Sequence, residues 1–159
     1  MTHTAAVYTA YTDSRKAGQH LGEQIRTELG DAPDAVILFA SSQFDYGELL
    51  ASVHDTCTPT VLVGASSAGE FTRTERGEGT ACALALRSNE IQVAAGLGRG
   101  VSTDRAKAAH DVVGGFRGID AREFPYRSAL VMTDALAGHA DDLVLLENLV
   151  PVSTSRVGD

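Results

Sequence analysis

The side chains with the clearest capacity for chemistry are gathered in one stretch, Gly64-Ala-Ser66-Ser67-Ala-Gly69-Glu70-Phe71. Two glycines flanking two serines permit a tight turn with exposed backbone N–H groups, a geometry that can wrap an anion. The hydroxyls of Ser66 and Ser67 are short, uncharged donors and acceptors suited to a small polar ligand, and Glu70 or Asp134 can pair with a ligand amine. Ser41-Ser42-Gln43, Thr12-Asp13-Ser14 and Thr133-Asp134 repeat the theme. Ser66, Ser67, Gly69 and Glu70 are the first candidate ligand contacts; Ser41, Ser42, Thr133 and Asp134 come second. Ser, Thr and Asp also cap helices and form turns, and position alone does not separate the two roles.

What unites these clusters is the element before each one. Residues 5–11 read as a short β-prone run, followed by Asp13 as an N-cap, a helical stripe at Ala17, Leu21, Ile25 and Leu29, and Gly30 as its stop. Residues 35–40 form a continuous apolar run of the kind buried on both faces of a sheet. Ser42-x-x-Asp45 resembles a capping box, and Tyr46, Leu49, Leu50, Val53 and Cys57 then lie on one helical face until Pro59. Residues 60–66 supply a third strand. Two βα units and a third strand imply right-handed crossovers and a largely parallel sheet, whose carboxyl ends converge where ligands bind. Helix N-termini after these strands would direct free N–H groups there and favour a carboxylate or phosphate.

Beyond residue 70 the pattern changes. Residues 80–86 and 91–97 both read as strands separated by Arg87-Ser-Asn-Glu90, predicting a hairpin. A helix capped by Ser102 or Thr103 follows, with Ala106, Ala109, Val113 and Phe116 on its inner face, then a strand over 128–133 and a helix over 140–149. The expected fold is α/β, a mixed, mostly parallel sheet of about six strands with helices on its faces, in the order β-α-β-α-β-β-β-α-β-α.

Composition narrows the function classes. The chain has 159 residues and a formal charge of −8, with Arg73, Arg76, Arg87 and Arg99 interleaved by Glu70, Glu75, Glu78 and Glu90, which argues against nucleic acid as a partner. No apolar run approaches the ~18 residues of a membrane helix, so no membrane partner and a cytoplasmic location are expected. Cys57 and Cys82 match no metal or disulfide spacing, and the five histidines, His3, His20, His54, His110 and His139, include no i, i+4 pair. No metal and no cofactor are expected.

Two catalytic or nucleotide constellations compete with ligand sensing. Gly64-x-Ser66-x-Ala68 is close to a nucleophile elbow, and Ser66, Asp134 and His139 follow the chain order of an α/β-hydrolase triad. An elbow runs from strand into helix, and Phe71-Thr-Arg-Thr-Glu-Arg-Gly77 has no helical stripe. Gly96-x-Gly98-x-Gly100 sits between a strand and a helix as a phosphate loop would, yet fits neither GxGxxG nor GxxxxGK.

Val-Gly-Ala-Ser66-Ser-Ala-Gly69-Glu70, preceded by Leu-Phe-Ala40-Ser and followed by Ala-Leu-Ala-Leu-Arg87, Gly-Leu-Gly98 and Leu-Val-Met-Thr-Asp134-Ala-Leu-Ala-Gly138, resembles the N-terminal domain of the FIST family, named for F-box and intracellular signal transduction proteins. The likeness covers about the first 150 residues and rests on the succession of pieces. It implies a sensory, small-ligand-binding module, proposed to bind amino acids and coupled to signalling output domains, with no established catalysis. In the family a second, C-terminal domain follows; here the chain closes with Val150-Pro-Val-Ser-Thr-Ser-Arg-Val-Gly-Asp159. The expectation is a sensory domain over 1–150 and a tail over 151–159 that resembles the truncated entry to that second domain. The partners this implies are a small-molecule ligand and a FIST C-terminal or output domain, in cis or in trans. A scaffold half that pairs with the missing domain or forms a homodimer is the non-sensory alternative.

Overall fold

The computed structural model describes residues 1–116 and 126–134. The elements are β1 (Thr2–Thr9), α1 (Ser14–Leu29), β2 (Ala35–Ser41), α2 (Tyr46–Cys57), β3 (Val61–Ser67), β4 (Glu70–Phe71), β5 (Arg76–Gly77), β6 (Ala81–Ser88) and α3 (Arg105–Gly114). They divide between two compact units, Met1–Val93 and Ala94–Asp159.

In the first unit the local signals act as their chemistry requires. The Asp13 carboxylate accepts from Lys16 N at 2.8 Å to start α1, and Gly30 ends it at φ 73°, a left-handed position that costs a glycine nothing. Asp45, rather than Ser42, caps α2, accepting from Glu48 N at 3.0 Å. Thr58 closes α2 at φ 46°, a strained conformation for a β-branched residue, just before Pro59.

The four-stranded sheet has the order β1-β6-β2-β3. β2 and β3 pair in parallel, while β6 lies antiparallel between β1 and β2. The sheet is mixed as expected, but two of its three pairings are antiparallel, which corrects the mostly parallel reading. The expected hairpin between 80–86 and 91–97 does not form, because both edges of β6 are taken by β1 and β2 and residues 91–97 carry no strand. Residues 128–133 are also outside any strand, so among the described residues the large sheet has four strands and not about six, with a separate two-stranded ribbon of β4 and β5. The helix expected over 140–149 lies outside the described residues.

Both crossovers, β1-α1-β2 and β2-α2-β3, step the same way across the sheet, and right-handed connections therefore place α1 and α2 on one face. The core lies there: Ala5 and Val7, Val36 and Leu38, and Ala81, Ala83 and Ala85 face Leu21 and Ile25 of α1 and Leu49 and Val53 of α2. The expectation of helices on both faces is not met within this unit.

Close approach of α1 and α2 depends on two glycines one turn apart. A Cβ at Gly18 would lie 2.5 Å from the Leu49 carbonyl oxygen and 2.7 Å from Ser52 Cβ, and one at Gly22 would lie 2.6 Å from Thr56 Cβ. Ser52 Oγ uses the proximity to donate to Arg15 O at 2.8 Å.

In the second unit α3 is capped by Asp104, which accepts from Lys107 N at 2.9 Å, in place of the expected Ser102 or Thr103. Gly96 and Gly98 lie against the carbonyls of Val112 and Ala108, one helical turn apart, where any Cβ would collide. Their role is packing on a helix side; a phosphate loop would instead aim N–H groups at a helix start.

Two stability outcomes follow from the first unit. Gly18→Ala gains helix propensity but forces the helices apart, and is expected to cost about 1–3 kcal/mol in urea unfolding. Thr58→Gly relieves the left-handed strain at the end of α2 and is expected to stabilise by about 0.5–1 kcal/mol in the same measurement; a loss would refute the strain at this position.

Candidate functional site

Because β1, β2 and β3 run in one direction and β6 runs against them, the carboxyl ends of the first three share an edge with the start of β6. Ser41 and Ser67 are register partners there, and Ala40 pairs with Ser66 on one side and Ala81 on the other. The expected convergence of hydroxyl-bearing strand ends thus holds for Ser41, Ser66 and Ser67.

Glu70 organises this edge. It is only 3% exposed, and Oε1 accepts from Ser67 Oγ at 2.6 Å. Oε2 accepts from Thr80 N at 3.1 Å and from Thr80 Oγ1 at 2.6 Å. Three donors on one buried carboxylate satisfy it without a cation, and they tie the end of β3, the β4–β5 ribbon and the start of β6 together. The Glu70 carboxylate, expected to pair with a ligand amine, is taken up by these internal donors.

The other candidate residues sort by surroundings. Ser41 is buried; its N–H donates to Thr80 O at 3.0 Å and its Oγ accepts from Gln43 N at 3.3 Å, the pattern of a serine turn. Ser42, Ser66 and Gly69 are exposed. Thr133 and Asp134 are exposed residues of the second unit. His139 lies outside the described residues, and β3 continues into β4 where a nucleophile elbow would enter a helix.

The helix starts at this edge are closed. Asp13 and Asp45 occupy them, and Ser14 Oγ accepts from Asp45 N at 2.9 Å, joining the two. A bound carboxylate or phosphate would meet fixed negative charge at either N-terminus, which corrects the expectation that these ends favour anions.

The sequence reading missed the β4–β5 ribbon. Its strands are two residues each, too short for periodicity, and the turn between them is held by Thr72 N donating to Glu75 O at 2.8 Å and Thr72 Oγ1 accepting from Glu75 N at 3.1 Å. Glu70 pairs with Gly77 and Phe71 with Arg76. Strand alternation turns Glu70 and Gly77 inward, where a Cβ on Gly77 would strike the Tyr8 hydroxyl, and turns Phe71 and Arg76 outward. A cleft of about 560 Å³ borders the ribbon, lined by Gly69, Glu70, Phe71, Arg76, Gly77 and Glu78. The usable sequence signal was Thr80, a hydroxyl at the head of a strand ten residues beyond a lone glutamate.

A second missed cluster completes the end of β1. Buried Thr9 places Oγ1 3.0 Å from His20 Nδ1 and accepts from Tyr11 N at 3.3 Å, while Gln24 Nε2 donates to Tyr8 O at 2.9 Å. Both cysteines read as structural: burial pushes the Cys57 thiol up, and burial with the nearby Glu70 carboxylate does the same to Cys82, so neither is a ready thiolate at neutral pH.

Glu70→Ala orphans buried donors of Thr80 and is expected to cost about 2–4 kcal/mol in denaturant unfolding. Glu70→Gln can keep its carbonyl on Thr80 and donate its amide to Ser67 Oγ, so it should cost only about 1 kcal/mol; equal losses would refute the clamp.

No curated protein and no solved structure matches the chain significantly. The family model of the FIST N domain matches residues 34–155, a span that takes in β2 to α3 and the clusters at Ser41-Ser42, Ser66–Glu70 and Thr133-Asp134. The chain belongs to the FIST N domain family, a family associated with signal transduction.

Proposed function

We propose that this chain is a non-catalytic sensory domain of a signal-transduction protein that binds a small molecule, an amino acid or small carboxylate, at the carboxyl edge of its sheet. The observation that carries the reading is the open cleft beside the Glu70 clamp, where Ser67, Glu70 and Thr80 hold a rigid floor under an exposed ribbon. Such a floor costs a ligand little ordering on binding. Ser66 and Gly69 border the floor, with Ser41 and Ser42 at its β2 side. An output or FIST C-terminal domain, in cis or in trans, is the proposed recipient of the signal.

Ser66 lies within β3, with no helix following to form an elbow, which supports sensing over hydrolysis. The cytoplasm is the proposed location; no helix among the described residues is long and apolar enough to cross a membrane.

Thermal unfolding against a panel of amino acids and small carboxylates at millimolar concentration tests the reading. Ligand at 100 times its Kd adds about 2.7 kcal/mol, which raises the midpoint by about 5–10 °C for a domain of this size. A selective shift, together with no fluorophosphonate labelling of Ser66, is the expected outcome. Labelling at Ser66 would replace the sensor with a hydrolase. A symmetric dimer with no response to any member of the panel would favour the scaffold half.

A further inference from the structure

Phe71 is 78% exposed, and Arg76 directly opposite it forms no hydrogen bond or ion pair with any described residue. Both stand on the outward face of a ribbon held from below by the Glu70 clamp and by Gly77 against Tyr8. Hydrogen-bonded and open pairs alternate along an antiparallel ribbon. Thr72 N donates to Glu75 O, so the next pair, Phe71 and Arg76, is an open one, with Cα atoms about 4.5 Å apart and side chains side by side. An apolar ring and a guanidinium without a partner among the described residues are therefore carried on directly opposed backbone positions at the wall of the cleft.

We infer that the cleft selects a monoanionic carboxylate attached to a flat apolar body, with the carboxylate on the Arg76 guanidinium and the body against the Phe71 ring. This rests on the reading of the carboxyl edge as a ligand site and names the ligand class for it. A guanidinium fork matches the two oxygens of a carboxylate, and a ring beside it buries the adjoining apolar group. The alternative anchors are closed: Glu70 is consumed by Ser67 and Thr80, and the helix starts carry Asp13 and Asp45. Glu70 and Glu78 also line the cleft, and against the single Arg76 charge their two carboxylates disfavour a second negative group on the ligand.

The probes are benzoate and phenylacetate, the neutral isostere benzamide, the cation benzylamine, the dianion phthalate, and the amino acids of the wider panel. Each is followed by thermal shift and by amide chemical shifts at Gly69 and Gly77. Benzoate or phenylacetate is expected to raise the midpoint and move those amides, while benzamide, benzylamine and phthalate do so at least tenfold more weakly. Arg76→Gln and Phe71→Ala, both at exposed positions, should leave the unliganded midpoint unchanged and weaken benzoate at least tenfold. A response to amino acids that is equal in wild type and Arg76→Gln would leave the sensory reading standing and overturn this ligand class. Silence from every probe, amino acids included, would overturn both.

Discussion

The placement of one antiparallel strand governs the rest of this structure. Seating β6 between β1 and β2 pairs both edges of β6 and gives β1 and β2 each an inner partner along their shared length. It also brings the first residues of β6 to the edge where β1, β2 and β3 end. Thr80 reaches Glu70 only because of that direction; had β6 run parallel, its head would lie at the opposite edge. From that hydrogen-bonded carboxylate follow the ribbon, its inward and outward faces, and the cleft beside it. The small side chains of Ala81, Ala83 and Ala85 suit the same placement, since they lie beneath α1 and α2 in a core filled by Leu21, Ile25 and Leu49.

What could be read from the sequence was what local chemistry determines. The run 35–40 became β2, the stripe from Tyr46 to Cys57 became α2, and Asp13 and Gly30 bounded α1, because caps and helical periodicity act over a few residues. Strand pairing acts across long separations, and Thr2 with Ser88 is beyond any such signal. Residues 91–97 alternate as a strand would, yet Gly96 and Gly98 sit on the carbonyls of α3, a contact their lack of side chains permits and alternation cannot reveal. At the candidate site, the Ser66–Glu70 stretch was legible from its hydroxyls and glycines. Arg76 was not, because Glu75 and Glu78 beside it gave the stretch the look of an ordinary solvated surface.

The electrostatics of the carboxyl edge depart from what α/β architecture alone would suggest. In a sheet with crossover helices, the helix starts are the natural seat for an anion. Here both starts are occupied by their own aspartates, and Ser14 links the two caps, so their dipoles are neutralised from within. The buried carboxylate of Glu70 has its acceptor positions filled by internal donors, so it offers a ligand no free hydrogen-bonding oxygen. Positive charge at this edge is therefore supplied by side chains on the ribbon and not by the backbone of the scaffold. The register of β4 on β5 fixes the backbone position of Arg76 opposite Phe71. The clamp that holds the β4–β5 ribbon in place also sets where the proposed contacts Phe71 and Arg76 stand, so the proposed site and local stability share one determinant, Glu70.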